Sequence, residues 1–214
     1  VAAAAPSFKE KDRALIDWYR REIEKRAIPV HLNTEVTDVL ALGVDEGIVA
    51  TGAAPKKLPI PGMENAMEAT DYLYGRETGE RVVIIGGGLT GCEIAYDLLL
   101  KGKKPTIVEM KNDLIALRGV CLANSSFLRE TLALHKAPVY LEAAVQEVRP
   151  DGVTIRDKDG KVLDIPCDSV IASVGYDPKP LAPASRHVHL VGDANGVGNL
   201  RTVIWRASDV CMKL

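Results

Sequence analysis

The sequence predicts an α/β protein built on a parallel sheet, and three observations carry that expectation. Val82-Val-Ile-Ile85 is an unbroken apolar run, the pattern of a strand buried on both faces of a parallel sheet. Gly86, Gly88 and Gly91 follow it in G-x-G-x-x-G spacing, and a helical pattern begins without a break. A second strand, Thr106-Ile-Val-Glu109, then ends in an acid about 20 residues further on.

Each part of this stretch has a chemical task. One glycine permits the tight turn, one lets the backbone approach a diphosphate, and one lets the helix pack close to the strand. The helix N-terminus offers unpaired N–H groups and the positive end of a dipole, so an anionic diphosphate binds there without a basic side chain. Glu109 stands where a ribose-binding carboxylate is needed. A glycine-rich turn without a ligand explains the loop alone, but not its place between a strand and a helix with an acid beyond. The expectation is a Rossmann-like, three-layer dinucleotide-binding unit.

The chain of 214 residues is long enough for one large domain or two small ones. Apolar content of 47%, charged content of 26% and a formal charge of −2 are those of an ordinary globular protein. No basic run suggests nucleic acid as a partner, and no apolar stretch approaches the ~18 residues of a membrane span. Val1-Ala-Ala-Ala-Ala5 is too short for the apolar core of a secretion signal and lacks a basic leader. Cys92, Cys121, Cys167 and Cys211 form no C-x-x-C pair, so no dithiol, zinc or iron–sulfur motif is legible. Cys92 falls on the sheet-facing side of the nucleotide helix with Ala95 and Leu99, which suits a buried, inert thiol. A reducing, cytoplasmic setting is expected.

In chain order, Ser7 to Glu10 matches a capping box opening an amphipathic helix that carries Leu15, Ile16, Tyr19 and Ile23 and ends near Ala27. Val30 to Leu32 reads as a short strand, Thr37 to Leu42 as one or two helical turns stopped at Gly43, and Gly47 to Gly52 as a buried strand and turn. Residues 55–79, with Pro55, Pro59 and Pro61, read as a connector without a regular ladder. The nucleotide helix ends near Lys101-Gly102. A helix from Asn124 carries Leu128, Thr131, Leu132 and His135, the last placed near its C-terminus where a helix dipole favours it. Short strands follow at 139–141, 144–148 and 152–156. Asp157 to Gly160 makes a hairpin turn into the strand 161–165, and Ser169 to Ser173 is buried. A second connector holds Pro178, Pro180 and Pro183, before a strand at 187–191 and a terminal helix over 200–214. Trp18 and Trp205 each fit a helix face and are expected in core or interface packing.

Four motifs then occur in order: Ile48-Val-Ala-Thr-Gly-Ala-Ala-Pro55, Gly86 to Glu93, Ser173-Val-Gly-Tyr-Asp-Pro178 and Leu190-Val-Gly-Asp-Ala194. Together they resemble the pyridine nucleotide-disulfide reductase superfamily, flavoproteins in which an NAD(P) domain is inserted into an FAD domain. The tail from Gly192 to Ala207 most resembles NADH:flavin oxidoreductases of the 2-enoate reductase and 2,4-dienoyl-CoA reductase type. The resemblance implies a partial FAD-binding domain over 1–54, a connector over 55–79, an NAD-binding domain over 80–178 and a return segment of the FAD domain over 179–214.

It also implies residue roles. Gly86, Gly88, Leu89, Thr90 and Gly91 would hold the NAD pyrophosphate, and Glu109 the adenosine ribose, where its charge repels a 2′-phosphate and favours NAD over NADP. Lys111, two residues on, reads as a solvated surface lysine ahead of one that softens that preference. Glu93 matches a family glutamate near the nicotinamide; a first-turn acid favoured by the helix dipole explains it equally. Gly175 would allow close approach to the nicotinamide end. Thr51 and Gly52 would line the FAD side, with Gly192 and Asp193 at the FAD ribityl chain. Hydride would pass from nicotinamide C4 to flavin N5, and electrons onward to reduce an activated C=C bond of an enoate or enoyl-CoA. No side chain of this chain is required as acid or base in that step.

The resemblance has one departure. The family's first G-x-G-x-x-G, which grips the FAD pyrophosphate, has no counterpart before Ser7. Weak or no FAD binding is therefore expected, with FMN and a 4Fe-4S cluster outside this chain. A sheet lacking that strand would leave residues 1–50 and 185–214 disordered or paired in a homodimer. Two other readings stay open: an amine dehydrogenase-like member whose nucleotide site holds structural ADP, and a non-catalytic nucleotide-binding module.

Overall fold

The alternation within Arg81–Ile85 decides how the layers stack. Val82 and Ile84 point to one face of the sheet and Val83 and Ile85 to the other, and all four are buried. A computed structural model of the protein describes residues 2–116 and 119–214. In chain order its elements are α1 (Glu10–Lys25), β1 (Gly47–Val49), β2 (Ala53–Pro55), β3 (Ala66–Glu68), α2 (Ala69–Leu73), β4 (Arg81–Ile85) and α3 (Leu89–Leu100). They continue with β5 (Lys104–Val108), α4 (Leu122–Leu134), β6 (Val139–Tyr140), β7 (Ala144–Arg149), β8 (Gly152–Arg156) and β9 (Val162–Pro166). The last are β10 (Ser169–Ala172), β11 (Tyr176–Pro178), β12 (Val188–Leu190) and α5 (Leu200–Cys211).

These divide into two units. The first takes in residues 1–28 and 58–174. Its central sheet is wholly parallel, in the order β3-β10-β4-β5-β6. Val82, Ile84, Ile107 and Ile171 pack against Cys92, Ile94, Ala95 and Leu98 of α3 and Leu128 and Leu132 of α4. Val83, Ile85, Val108 and Val170 pack on the other side against Val145, Val148, Val153, Ile155 and Ile165. Those residues belong to the antiparallel sheet β7-β8-β9. Helices, parallel sheet and antiparallel sheet are the three layers expected of a dinucleotide-binding unit, and the buried strand residues join them. Cys92 is fully buried, as expected, and burial pushes its thiol up to about 12, which disfavours the reactive thiolate.

The second unit comprises residues 29–57 and 175–214. In it β1 pairs parallel with β12, and β2 pairs antiparallel with β11. Val39, Val49 and Val188 form its small core. The helix expected to reach Leu214 ends at Cys211, and its N-cap Asn199 exchanges hydrogen bonds with Thr202 in a capping box. No helix among the described residues is long and apolar enough to cross a membrane.

Several local expectations are corrected. Residues 30–32 form no strand. Ser7 and Glu10 make no capping box: α1 starts after Lys9 without a side-chain cap, because the Ser7 hydroxyl is bonded to Asp97 instead. The connector over 55–79 is not free of regular structure. Pro55 closes β2 at a strand end, where a missing N–H costs nothing, and β3 with α2 completes the edge of the parallel sheet. Met67 and Tyr72 are buried there, but three-residue strands leave no periodic signal. The helix expected from Asn124 begins at Leu122. Trp18 and Trp205 are 47% and 64% exposed, so neither belongs to a core; both lie on helices with no buried residue.

Candidate functional site

The glycine loop lies where β4 gives way to α3, and its three motif glycines meet three different surroundings. Gly86 takes φ +106°, and a Cβ there would fall 2.3 Å from the Ser173 carbonyl oxygen. A Cβ on Gly91 would fall 2.1 Å from the Gly86 carbonyl oxygen, so the first turn of α3 packs directly on the loop. Gly88, the N-cap of α3, has no heavy atom within 4 Å of its Cβ position. Two glycines serve packing, and the middle one opens to a space that a ligand can enter.

That space sits at an uncapped helix end. No side chain caps α3, and Leu89, Thr90 and Gly91 stand in its first turn, where amide N–H groups lack partners within the helix. Across the loop, Glu109 follows directly on β5. Its Oε2 accepts the Gly87 amide at 2.6 Å, and its Oε1 accepts the Lys111 amide at 2.8 Å. The Gly87 carbonyl in turn accepts the Ile115 amide at 2.7 Å. A Cβ on Gly87 would lie 2.5 Å from Leu114 Cδ2 and 3.1 Å from Glu109 Cβ, so a side chain there would have to displace Leu114, a constraint the motif spacing does not express. The predicted residues Gly86, Gly88, Leu89, Thr90, Gly91 and Glu109 thus gather around one β4–α3 loop.

Glu93 is one turn further along α3. Its carboxylate lies 2.7 Å from Lys9 Nζ, with both side chains largely buried at 17% and 18% exposure. Burial pushes the Glu93 carboxyl up, and the Lys9 hydrogen bond opposes it. Both residues border a cavity of about 390 Å³, whose wall also includes Phe8, Asp12, Asn124 and Phe127. Lys9 was not legible as a site residue, since a lone lysine before a helix carries no motif.

The remaining predicted residues belong to the second unit. Thr51 Oγ1 donates to the Lys179 carbonyl at 2.7 Å, and the Gly52 carbonyl accepts the Lys179 amide at 3.0 Å. Gly175 takes φ +94°, and its carbonyl accepts the Lys56 amide beside the β2–β11 pair. Gly192 and Asp193 begin a single helical turn, Gly192–Asn195, in which Asp193 Oδ1 accepts the Gly198 amide at 3.0 Å. Arg206 of α5 braces this turn by donating to the carbonyls of Gly192, at 3.2 Å, and Gly196.

NAD fits the first unit on these observations: an uncapped helix start, an open Gly88 and an oriented Glu109. The second unit holds polar groups and tight turns at Thr51, Gly52, Gly192 and Asp193. Among its described residues there is no strand, glycine turn and helix to hold a flavin diphosphate.

Fold and loop together define an α/β dinucleotide-binding protein. Residues 40–198 match the pyridine nucleotide-disulphide oxidoreductase family, and the chain belongs to it. It is 34% identical to cinnamate reductase of Clostridium sporogenes over its full length, and 32% identical to an NADH oxidase of Thermoanaerobacter brockii over 94% of it. The structure superposes on a 2-naphthoyl-CoA reductase with a TM-score of 0.83 at 27% identity, covering 95% of this chain. The chain spans 33% of the length of either curated relative and 32% of that reductase.

Proposed function

We propose that this chain is the NADH-binding portion of a flavin-dependent reductase, with residues 80–178 as its nucleotide domain. The observation that carries the reading is the open Gly88 at the start of α3, faced by a Glu109 carboxylate already hydrogen-bonded into the loop. The amides of Leu89, Thr90 and Gly91 would bind the diphosphate, and Glu109 the adenosine ribose. A carboxylate at that point disfavours a 2′-phosphate, which supports NADH over NADPH. Glu93 and Gly175 would stand at the nicotinamide end, and Thr51, Gly52, Gly192 and Asp193 on the flavin side. NADH supplies a hydride at nicotinamide C4, for a flavin of the whole enzyme to accept; this chain's residues bind and orient the donor.

Likeness to cinnamate reductase and to 2-naphthoyl-CoA reductase supports reduction of an activated C=C bond, in an enoate or enoyl-thioester, elsewhere in the longer enzyme. FMN, an iron–sulfur cluster and a cytoplasmic setting belong to the same proposal. Calorimetry with NADH, NADPH and ADP tests it. NADH is expected to bind more tightly than either. ADP binding as tightly as NADH would sink the hydride-donor reading and favour a structural nucleotide.

A further inference from the structure

Three consecutive residues near the N-terminus each grip the nucleotide helix. The Ser7 amide and hydroxyl both donate to Asp97 Oδ1 at 2.9 Å. The Phe8 ring lies against Tyr96, centroid to centroid 4.8 Å. Lys9 reaches Glu93 at 2.7 Å. Glu93 and Asp97 are four residues apart on α3 and so share one face of the helix.

Asp97 is an unusual residue for the body of a helix against a sheet. It is 2% exposed, and its carboxylate is filled by donors: Ser7 twice at Oδ1, then Tyr72 Oη at 2.6 Å and Lys101 Nζ at 2.7 Å at Oδ2. A buried charge so fully satisfied holds its donors in fixed places. Two of those donors belong to Ser7, whose backbone leads through Phe8 to Lys9.

We propose that Asp97 is a positioning residue: by fixing Ser7 it sets the register of residues 7–9 and so holds Lys9 on Glu93. The inference rests on the reading of Glu93 as a group at the nicotinamide end. Lys9 neutralises a carboxylate that faces the cavity, so the Asp97–Ser7 anchor decides the charge the cavity wall presents. Glu93 also faces Asp12, and Lys11 stands on the same wall; α4 brings only the uncharged Asn124, Phe127 and Leu128.

The test is a ¹³C NMR titration of the Glu93 side-chain carboxyl in the full chain, assigned with Glu93→Gln. Lys9→Met sets the full upward displacement of the midpoint. Asp97→Asn is expected to produce most of that displacement and Ser7→Ala a part of it. Tyr72→Phe removes a donor from the other carboxylate oxygen and is expected to leave the midpoint in place. If Asp97→Asn and Ser7→Ala leave the midpoint unmoved while Lys9→Met shifts it, Asp97 is only a structural tie and the proposal fails. It fails equally if Lys9→Met moves nothing. Should Asp97→Asn not fold, the Ser7→Ala result decides. A separate arm adds NADH or ADP-ribose: a Glu93 resonance that responds alike to both refutes its nicotinamide placement, and leaves the midpoint comparison standing.

Discussion

The Glu109 carboxylate accepts the Gly87 amide at 2.6 Å, so the acid at the end of β5 is bonded to the loop it faces. With the Lys111 amide on the other oxygen, each oxygen has one acceptor site in use and one left. The free pair is what two ribose hydroxyls require. Glu109→Ala removes both charged acceptors at a solvent-reachable site, a net loss of about 1.5–3 kcal/mol for the pair, so NADH affinity is expected to fall roughly 10–100-fold. NADPH affinity should fall less, because a repulsion is removed along with the contact. Titrating both nucleotides into the variant checks this. An unchanged preference for NADH would refute the ribose role.

Gly88 and Gly91 are expected to respond oppositely to the same added methyl group. A Cβ at Gly91 meets backbone at 2.1 Å, where no rotamer can relieve it. Gly91→Ala is therefore expected to destabilise the free protein by about 1–3 kcal/mol, despite alanine's better helix propensity. Gly88→Ala meets no protein atom and should leave the melting temperature nearly unchanged. It places a methyl group in the space meant for the diphosphate, so NADH binding should weaken. Thermal melts and nucleotide titrations of the two variants decide it. A Gly88→Ala protein that binds NADH normally would place the diphosphate elsewhere.

The loop was legible in the sequence because its constraints are local. A buried strand, a glycine spacing and a terminal acid all lie within one short stretch, and the backbone there has few alternatives. The layers followed from the unbroken apolar run Val82 to Ile85, which needs cover on both faces of its strand. What was not legible depends on distant partners. Nothing around Ser7 shows that its hydroxyl prefers Asp97, 90 residues away, over a helix cap. β3 is too short for a period, and its partner β10 comes a hundred residues later, so Ala66–Glu68 read as loop. Lys9 and Arg206 follow the same rule. Each carries its meaning only once α3, or the Gly192–Asn195 turn, is beside it.

Arg81 and Asp168 join the starts of β4 and β10, and this pair gives a pH dependence of definite sign. The Arg81 guanidinium and backbone amide hold the Asp168 carboxyl down to about 2. A carboxyl lowered in the folded state stabilises it above the unfolded value, about 3.9, and that contribution is lost as pH falls through about 2. The pair is exposed, so the effect is small and sensitive to salt. Glu46, Asp97, Asp113 and Asp164 are lowered too, and the wild-type slope sums them all. Asp168→Asn should therefore flatten part of the fall in melting temperature between pH 4 and pH 2. Superimposable curves for the two proteins would show that the pair contributes nothing.

Arg206 is expected to control the turn that presents Asp193. Its guanidinium reaches the carbonyls of Gly192 and Gly196, one on each side of Asp193 in the chain. The turn itself is short, Gly192–Asn195, and Gly192 and Gly196 both take positive φ, so the backbone holds little order of its own. Hydrogen bonds from a charged donor are worth about 1.5–3 kcal/mol when buried, and partial exposure brings the two together to about 1–2 kcal/mol. Arg206→Ala should then speed exchange of the Gly196 and Gly198 amides, which are bonded to the Asp193 carbonyl and carboxylate, by roughly 10-fold. Both bonds leave from Nη1, and Arg206→Lys keeps the charge but places it on a shorter, more flexible stem, so it should recover only part of the protection. Hydrogen exchange read residue by residue makes the comparison. Equal protection in all three proteins would mean that the turn is held by Asp193 and Gly198 alone.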